Sequence, residues 1–159
     1  MTAGNAPIRT RNARSADVDA IVEIIRPYAG RGLVLDRTAT DIEGALPDFL
    51  VAEKDGELIG CVSLRDFGGG LLEIRTLAVR EERHGHGVGT FLVRAAIHQA
   101  RERRARRLFA LTVRPNLFER LDFAVVPKSR FPAKVWSDCR FCNKREHCDE
   151  TAVVLPLDT

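Results

Sequence analysis

The residues best suited to chemistry lie together, where Glu73-Ile74-Arg75-Thr76-Leu77-Ala78-Val79 leads through a short loop into His84-Gly85-His86-Gly87-Val88-Gly89. A strand that runs into a glycine-rich turn at a helix start presents several unpaired backbone N–H groups in one direction. The helix dipole adds to them, and together they make a site for phosphate oxygens. Glycine lets the backbone approach an anion with no Cβ in the way and accepts positive φ. Two common versions of such a turn fail on spacing. A P-loop needs Gly-Lys-Ser/Thr at the helix start, which Gly87-Val88-Gly89 does not supply. A dinucleotide fingerprint needs a third glycine three residues after the second. Thr90 or Leu92 stands there instead.

Two further groups could do chemistry. Cys139, Cys142 and Cys148, with His147, give a Cys-x-x-Cys pair and two more soft donors, a set that zinc can take tetrahedrally. Structural zinc usually takes a second well-spaced pair, so a disulfide and free thiols compete with the metal, and the residues leave all three open. Cys61 lies in an apolar run and reads as a small buried hydrophobe. Arginine is dense at Arg101, Arg103, Arg104, Arg106 and Arg107. Cations of this kind suit the exit turn of a helix, with a cofactor phosphate as the second reading. No aromatic interrupts the run, so a stacking platform for nucleic acid is not indicated.

The elements that must position these groups follow from apolar spacing and turn residues. The chain has 159 residues, 45% hydrophobic and 30% charged, with a net charge of +3. That is the balance of one ordinary globular domain, taken here as residues 6–159 with a cysteine-containing segment at about 136–150. No run approaches the ~20 apolar residues of a membrane span, and Met1–Thr10 lacks the apolar stretch of a signal peptide. A cytoplasmic protein without membrane or nucleic-acid partners is expected, its oligomeric state open, a homodimer included. Ile8–Asn12 reads as a first strand. A helix capped by Ser15 or Asp17 follows, with Val18, Ile21, Val22 and Ile25 at helical spacing and an end near Pro27–Gly30. Residues 38–46 form a short second helix. Phe49–Ala52 and Leu58–Leu64 are strands joined at Asp55-Gly56, a hairpin signal. The Gly68-Gly69-Gly70 turn leads to a strand over Leu71–Val79. The glycine stretch opens a helix, Leu108–Val113 is a strand, and Pro115 starts a short helix. Phe123–Val126 and Ala152–Leu155 are strand-like. The order β-α-β-β-β-α-β-α-β predicts an α/β domain on a mixed, mainly antiparallel sheet, and it excludes a doubly wound nucleotide fold.

With those elements in place the chain resembles the GNAT acetyltransferases. In that family a strand Glu-x-x-x-Leu-x-Val precedes a loop Gln/Arg-x-x-Gly-x-Gly/Ala. Glu73, Leu77, Val79, Gly87 and Gly89 match, whereas His84 replaces the Gln/Arg. Asn116-Leu117-Phe118-Glu119-Arg120-Leu121-Asp122-Phe123 resembles the closing helix. The resemblance implies a GNAT fold, with a central sheet flanked by helices, and acetyl-coenzyme A as co-substrate. It places the pyrophosphate on His84, Gly85, His86, Gly87, Val88 and Gly89, with Asn116 and Phe118 also at the cofactor. It implies that backbone N–H groups around Leu77, Ala78 and Val79 hold the pantetheine and the oxyanion, and that Glu73 is the general base. The tyrosine that often protonates the thiolate is Phe118 here, and the single tyrosine is Tyr28.

Within the family, Ile25-Arg26-Pro27, Gly32-Leu33-Val34-Leu35-Asp36-Arg37, Gly60-Cys61-Val62-Ser63-Leu64-Arg65 and Leu108-Phe109-Ala110-Leu111 look like the acetyltransferase domain of bacterial N-acetylglutamate synthases. That likeness implies a small acidic amino acid as acceptor, L-glutamate first, and places arginine biosynthesis among the roles. Arg26, Arg37, Arg65 and Arg75 become the carboxylate-binding residues, since guanidinium groups hold carboxylates bidentately. The C-terminal strand lacks the further arginine of that subfamily. Two rivals remain, a peptide or amine acetyltransferase and an acetyl-coenzyme A sensor without turnover. A metal-cluster nucleic-acid module built on the C-terminal cysteines and arginines ranks below both.

Overall fold

At the tip of the first hairpin Asp55 (φ 54°) and Gly56 (φ 79°) both take left-handed backbone, as a two-residue type I′ turn requires. The computed structural model describes residues 7–31, 37–127 and 151–157. They fall into two compact units, Met1–Leu64 with Arg75–His98 and Arg65–Ile74 with Gln99–Thr159.

In the first unit the hairpin strands are β2 (Phe49–Lys54) and β3 (Glu57–Asp66), antiparallel and with a bulge between Ala52 and Glu53. β1 (Arg9–Asn12) pairs antiparallel with β2, and β5 (Ala78–Val79) pairs antiparallel with β3. Helix α1 (Val18–Gly30) buries Val18, Ile21, Ile24, Ile25 and Tyr28, the face that the spacing of its apolar residues predicts. These side chains pack with Ile42, Phe49, Val51, Leu58, Cys61 and Ala78 in one core. Each large aliphatic buried there contributes about 1.5–3 kcal/mol. Cys61 is fully buried, and burial pushes its thiol up to about 12.

Three expectations need correction. Neither Ser15 nor Asp17 caps α1 with its side chain. The Asp17 carboxylate instead accepts both terminal nitrogens of Arg11 (2.7 and 3.0 Å) and the Arg14 N–H (2.7 Å), closing a 3-10 turn over Ser15–Asp17. The second helix, α2, spans only Ala39–Gly44, because Thr38 and Asp41 form a capping box that sets its start. The strand expected over Leu71–Val79 is broken into β4 (Leu71–Ile74) and β5. Ser63 explains the break. Its carbonyl accepts the Arg75 N–H at 2.8 Å and its hydroxyl accepts the Thr76 N–H at 3.1 Å. Two successive donors thus end on one residue, a spacing no regular ladder allows.

Helix α3 (Val88–Glu102) follows the glycine turn. Gly60 on β3 makes room for it. A Cβ there would stand 2.9 Å from Leu92 Cδ1, 3.1 Å from the Ala78 carbonyl and 3.2 Å from Val88 Cγ1.

In the second unit β4 runs parallel to β6 (Arg107–Thr112), β8 (Thr151–Pro156) is antiparallel to β6, and β7 (Ala124–Val126) is antiparallel to β8. Among the described residues this β4–β6 pair is the parallel one of the strand pairings within the two units, so the architecture is α/β, mixed and mainly antiparallel as expected. Phe67, Leu71, Phe109 and Ala152 form its core cluster. Helix α3 ends with Arg104 at φ 58°, the Ala105 N–H bonded to the Ala100 carbonyl and the Arg104 N–H to that of Arg101. This is a Schellman motif with arginine where glycine is usual. The short helix α4 (Pro115–Glu119) begins at Pro115. No helix among the described residues is long and apolar enough to cross a membrane.

Candidate functional site

The glycine turn has the backbone that an anion cradle requires. Gly85 and Gly87 hold φ of 83° and 76°, values that side-chain-bearing residues rarely adopt, and no atom lies within 4 Å of where either Cβ would point. The constraint is therefore conformational, and the space beside the turn is open. The Phe91 N–H bonds to the Gly87 carbonyl at 3.2 Å. The N–H groups of Val88, Gly89 and Thr90 come before that bond, in the first turn, where helix donors lack intrahelical partners. Val88 is buried beneath them, while His84, Gly85, His86 and Gly87 are exposed. This chemistry suits phosphate oxygens and fits the cofactor that the sequence implies.

The chain between β5 and the turn is pinned from several sides. The Arg80 N–H donates to the Ile59 carbonyl (2.8 Å), Arg80 Nε to the Leu58 carbonyl (2.7 Å), and Arg80 Nη1 to Glu23 on α1 (2.8 Å). A 3-10 turn follows over Glu81–Arg83. Arg31 pairs with Glu81, and Arg83 lies 3.7 Å from Glu57. The Tyr28 hydroxyl donates to the Val79 carbonyl and also contacts Nε2 of His84. Leu77, Ala78 and Val79 thus sit beside the turn, with Ala78 buried and the other two half-buried.

The other predicted site residues are placed as follows. Glu73 lies on β4 opposite Phe109 in the parallel register and is only 7% exposed. Arg75 is half-buried and bonded through its backbone to Ser63. Arg26 is exposed on α1. The Arg37 guanidinium lies over the Phe49 ring at 5.5 Å, and that of Arg65 over the Phe67 ring at 4.7 Å. Both are cation–π distances. Phe118 is 2% exposed and meets Phe123 edge-on at 5.2 Å. Asn116 is exposed and lines an open hollow with Glu119 and Arg120. Cys139, Cys142 and Cys148 lie outside the described residues. Among the described residues no group of three or more His, Cys, Asp or Glu stands ready to hold a metal.

Sequence reasoning missed two positions here. Ser63 shapes the strand break, and only its alternation in an apolar run (a buried polar residue among Val62 and Leu64) hints at it. Tyr28 stands out in the sequence only as the single tyrosine, and nothing in the chain order points its hydroxyl at Val79 or His84.

With this geometry in view, comparison with known proteins is informative. The model of the acetyltransferase (GNAT) family matches residues 19–123. An uncharacterized N-acetyltransferase of Chlorobaculum tepidum is 41% identical over 147 residues, 92% of this chain and 95% of that protein. An amino-acid acetyltransferase of Mycobacterium tuberculosis is 34% identical over 134 residues, 82% of this chain and 76% of that protein. Among solved structures, N-acetylglutamate synthase from Neisseria gonorrhoeae, complexed with coenzyme A and N-acetyl-glutamate, superposes with a TM-score of 0.85 at 29% identity. The match covers 98% of this chain and 36% of that one, so the present sequence spans about a third of the synthase.

Proposed function

The chain belongs to the acetyltransferase (GNAT) family and is an acetyl-coenzyme A-dependent N-acetyltransferase, and from that premise we propose that its acceptor is the amino group of a small acidic amino acid, L-glutamate first. The thioester supplies an activated acyl group, so this chain's residues need only bind, orient and take up the first of the two protons that the ammonium nitrogen loses. An ammonium has no lone pair, and the Glu73 carboxylate takes its proton, directly or through a water. The amine nitrogen then attacks the thioester carbonyl carbon. Backbone N–H groups near Leu77, Ala78 and Val79 stabilise the oxyanion. The C–S bond breaks, the thiolate leaves without a tyrosine acid, as an ordinary thiol pKa of about 8.5 permits, and the second proton of the nitrogen passes to that thiolate or to water.

The observation that carries this reading is the burial of Glu73 on β4, a carboxylate that precedes in the chain a glycine turn with positive φ. The names of the relatives and the four arginines at 26, 37, 65 and 75 support an acidic acceptor. Arginine biosynthesis is the corresponding role. The test is thiol release from acetyl-coenzyme A across the twenty amino acids and a few peptides. Glutamate should lead, and Glu73→Gln should lower turnover by about 10²-fold or more with coenzyme A binding intact. Near-normal rates in that variant remove Glu73 from the role. If a peptide or an uncharged amine is preferred, the acidic-acceptor reading falls. Phe118 favours one second reading, a sensor that binds acetyl-coenzyme A, and binding with no turnover on any amine would establish it.

A further inference from the structure

We propose that Tyr28 is a positioning residue for the cofactor loop, tying the end of β5 to His84 so that the glycine turn is held in its binding shape before the cofactor arrives. The proposal rests on the acetyl-coenzyme A reading above. β5 is two residues long and meets β3 only through Val79 opposite Gly60 and Ala78 opposite Cys61. So short a ladder does little to fix the chain that leaves it. The Tyr28 hydroxyl sits at both ends of the segment that follows. It donates to the carbonyl of Val79, where the segment starts, and contacts Nε2 of His84, where it stops. The two rings are tilted by 44° with centroids 6.1 Å apart. His84 Nε2 also lies 3.3 Å from the Val79 carbonyl. One side chain from α1 thus closes the loop Val79–His84, and the glycine turn begins at the next residue.

Arg80, the residue after Val79, is held to β3 and α1, and the ion pairs beyond it in this loop are weaker. Arg31 and Glu81 are about half exposed (54% and 48% of each side chain) and Glu57 is 48% exposed, so their ion pairs are screened by water. Tyr28 is buried. Its ring is fixed by the α1 core, and its hydroxyl is not free to wander. Ordering a loop residue costs conformational entropy, and Tyr28 meets that cost during folding rather than at binding, which is preorganisation.

The donor pattern also sets the proton on His84. A carbonyl only accepts, and the tyrosine proton goes to Val79, so the hydroxyl oxygen is left to accept from the ring. Both neighbours of Nε2 therefore call for a hydrogen on that nitrogen. In this family's motif the position is Gln or Arg, and both can donate. His84 keeps a donor there but turns it inward, toward the protein. Tyr28 in turn has its proton engaged on β5, so it is not the general acid that Phe118 fails to provide.

The test is direct binding of coenzyme A by calorimetry, with nitrogen-15 NMR of the histidine rings. Tyr28→Phe and His84→Ala should each raise Kd for coenzyme A by about tenfold, as the loss of about 1.4 kcal/mol implies, while the KM for the amino acid stays close to wild type. The double variant should cost little more than either single one, because both remove the same tie. His84→Gln, whose amide nitrogen reaches the place of Nε2, should recover most of the affinity, and His84→Asn should not. The neutral His84 ring should carry its hydrogen on Nε2. Wild-type affinity in Tyr28→Phe and His84→Ala, or a hydrogen on Nδ1, overturns the proposal. A wild-type chain that does not bind coenzyme A at all overturns the underlying function instead. Misfolding of Tyr28→Phe would leave the His84 series, at an exposed residue, to decide.

Discussion

The cofactor turn and the closing helix are held in opposite ways. Around Val79–Gly89 in the first unit, position is set by directed bonds, from Tyr28, Arg80 and the backbone of β3. Around α4 in the second unit, Phe118 is located by burial and by its edge-on contact with Phe123, and the backbone turns from Asn116 to Phe123 close over it. Directed bonds fix orientation but respond to charge and pH. Apolar packing fixes place and is nearly blind to both, at the cost of tolerating no change in volume. An anion cradle requires oriented donors, whereas shape alone suffices to seat a short helix.

The sharpest way to break this contrast is at Phe118. Phe118→Ala should cost about 3–5 kcal/mol in chemical denaturation, and equally at pH 4 and pH 7, because it removes packing alone. A cost that varies with pH would mean that polar bonds hold α4 as well. Phe118→Tyr should cost about 1–3 kcal/mol, since Phe118 is buried and a hydroxyl must be fitted into a filled core. No loss of stability together with faster turnover would show that the position accepts a tyrosine hydroxyl and that turnover uses it.

A smaller effect is expected at the polar pins of the first unit. The Arg11 bond holds the Asp17 carboxyl below its usual range, with desolvation opposing it and the Arg14 N–H assisting. A carboxylate with a lowered folded-state pKa stabilises above its unfolded value, about 3.9, and that contribution is lost as pH falls through the folded value. Asp17→Asn should therefore cost about 1.5–3 kcal/mol at pH 7, and the gap from wild type should close below about pH 4. A gap independent of pH would reduce Asp17 to a packing role. The smallest change is at Arg104, whose positive φ suits glycine. Arg104→Gly should raise stability by about 0.5–1 kcal/mol, and a loss would mean that the arginine side chain supports the helix end.

The sequence by itself determined the element order, because apolar spacing and turn residues are local signals. Val18, Ile21 and Ile25 mark the buried face of α1, Asp55-Gly56 marks its hairpin, and Gly85 and Gly87 mark a turn with positive φ. It also determined the family, because Glu73, Leu77, Val79, Gly87 and Gly89 lie close enough in the chain to be read as one motif. Tertiary structure decided whatever depends on partners distant in sequence. Ser63 breaks the strand that residues 71–79 alone would form, since it supplies two acceptors from another strand. Burial made Glu73 a carboxylate of the core, and packing set the Arg37 and Arg65 guanidinium groups over rings. Tyr28 stands 51 residues from Val79 and 56 from His84. A hydrogen bond depends on position to within a fraction of an ångström, and no pattern of residue types along the chain carries that information across such a separation.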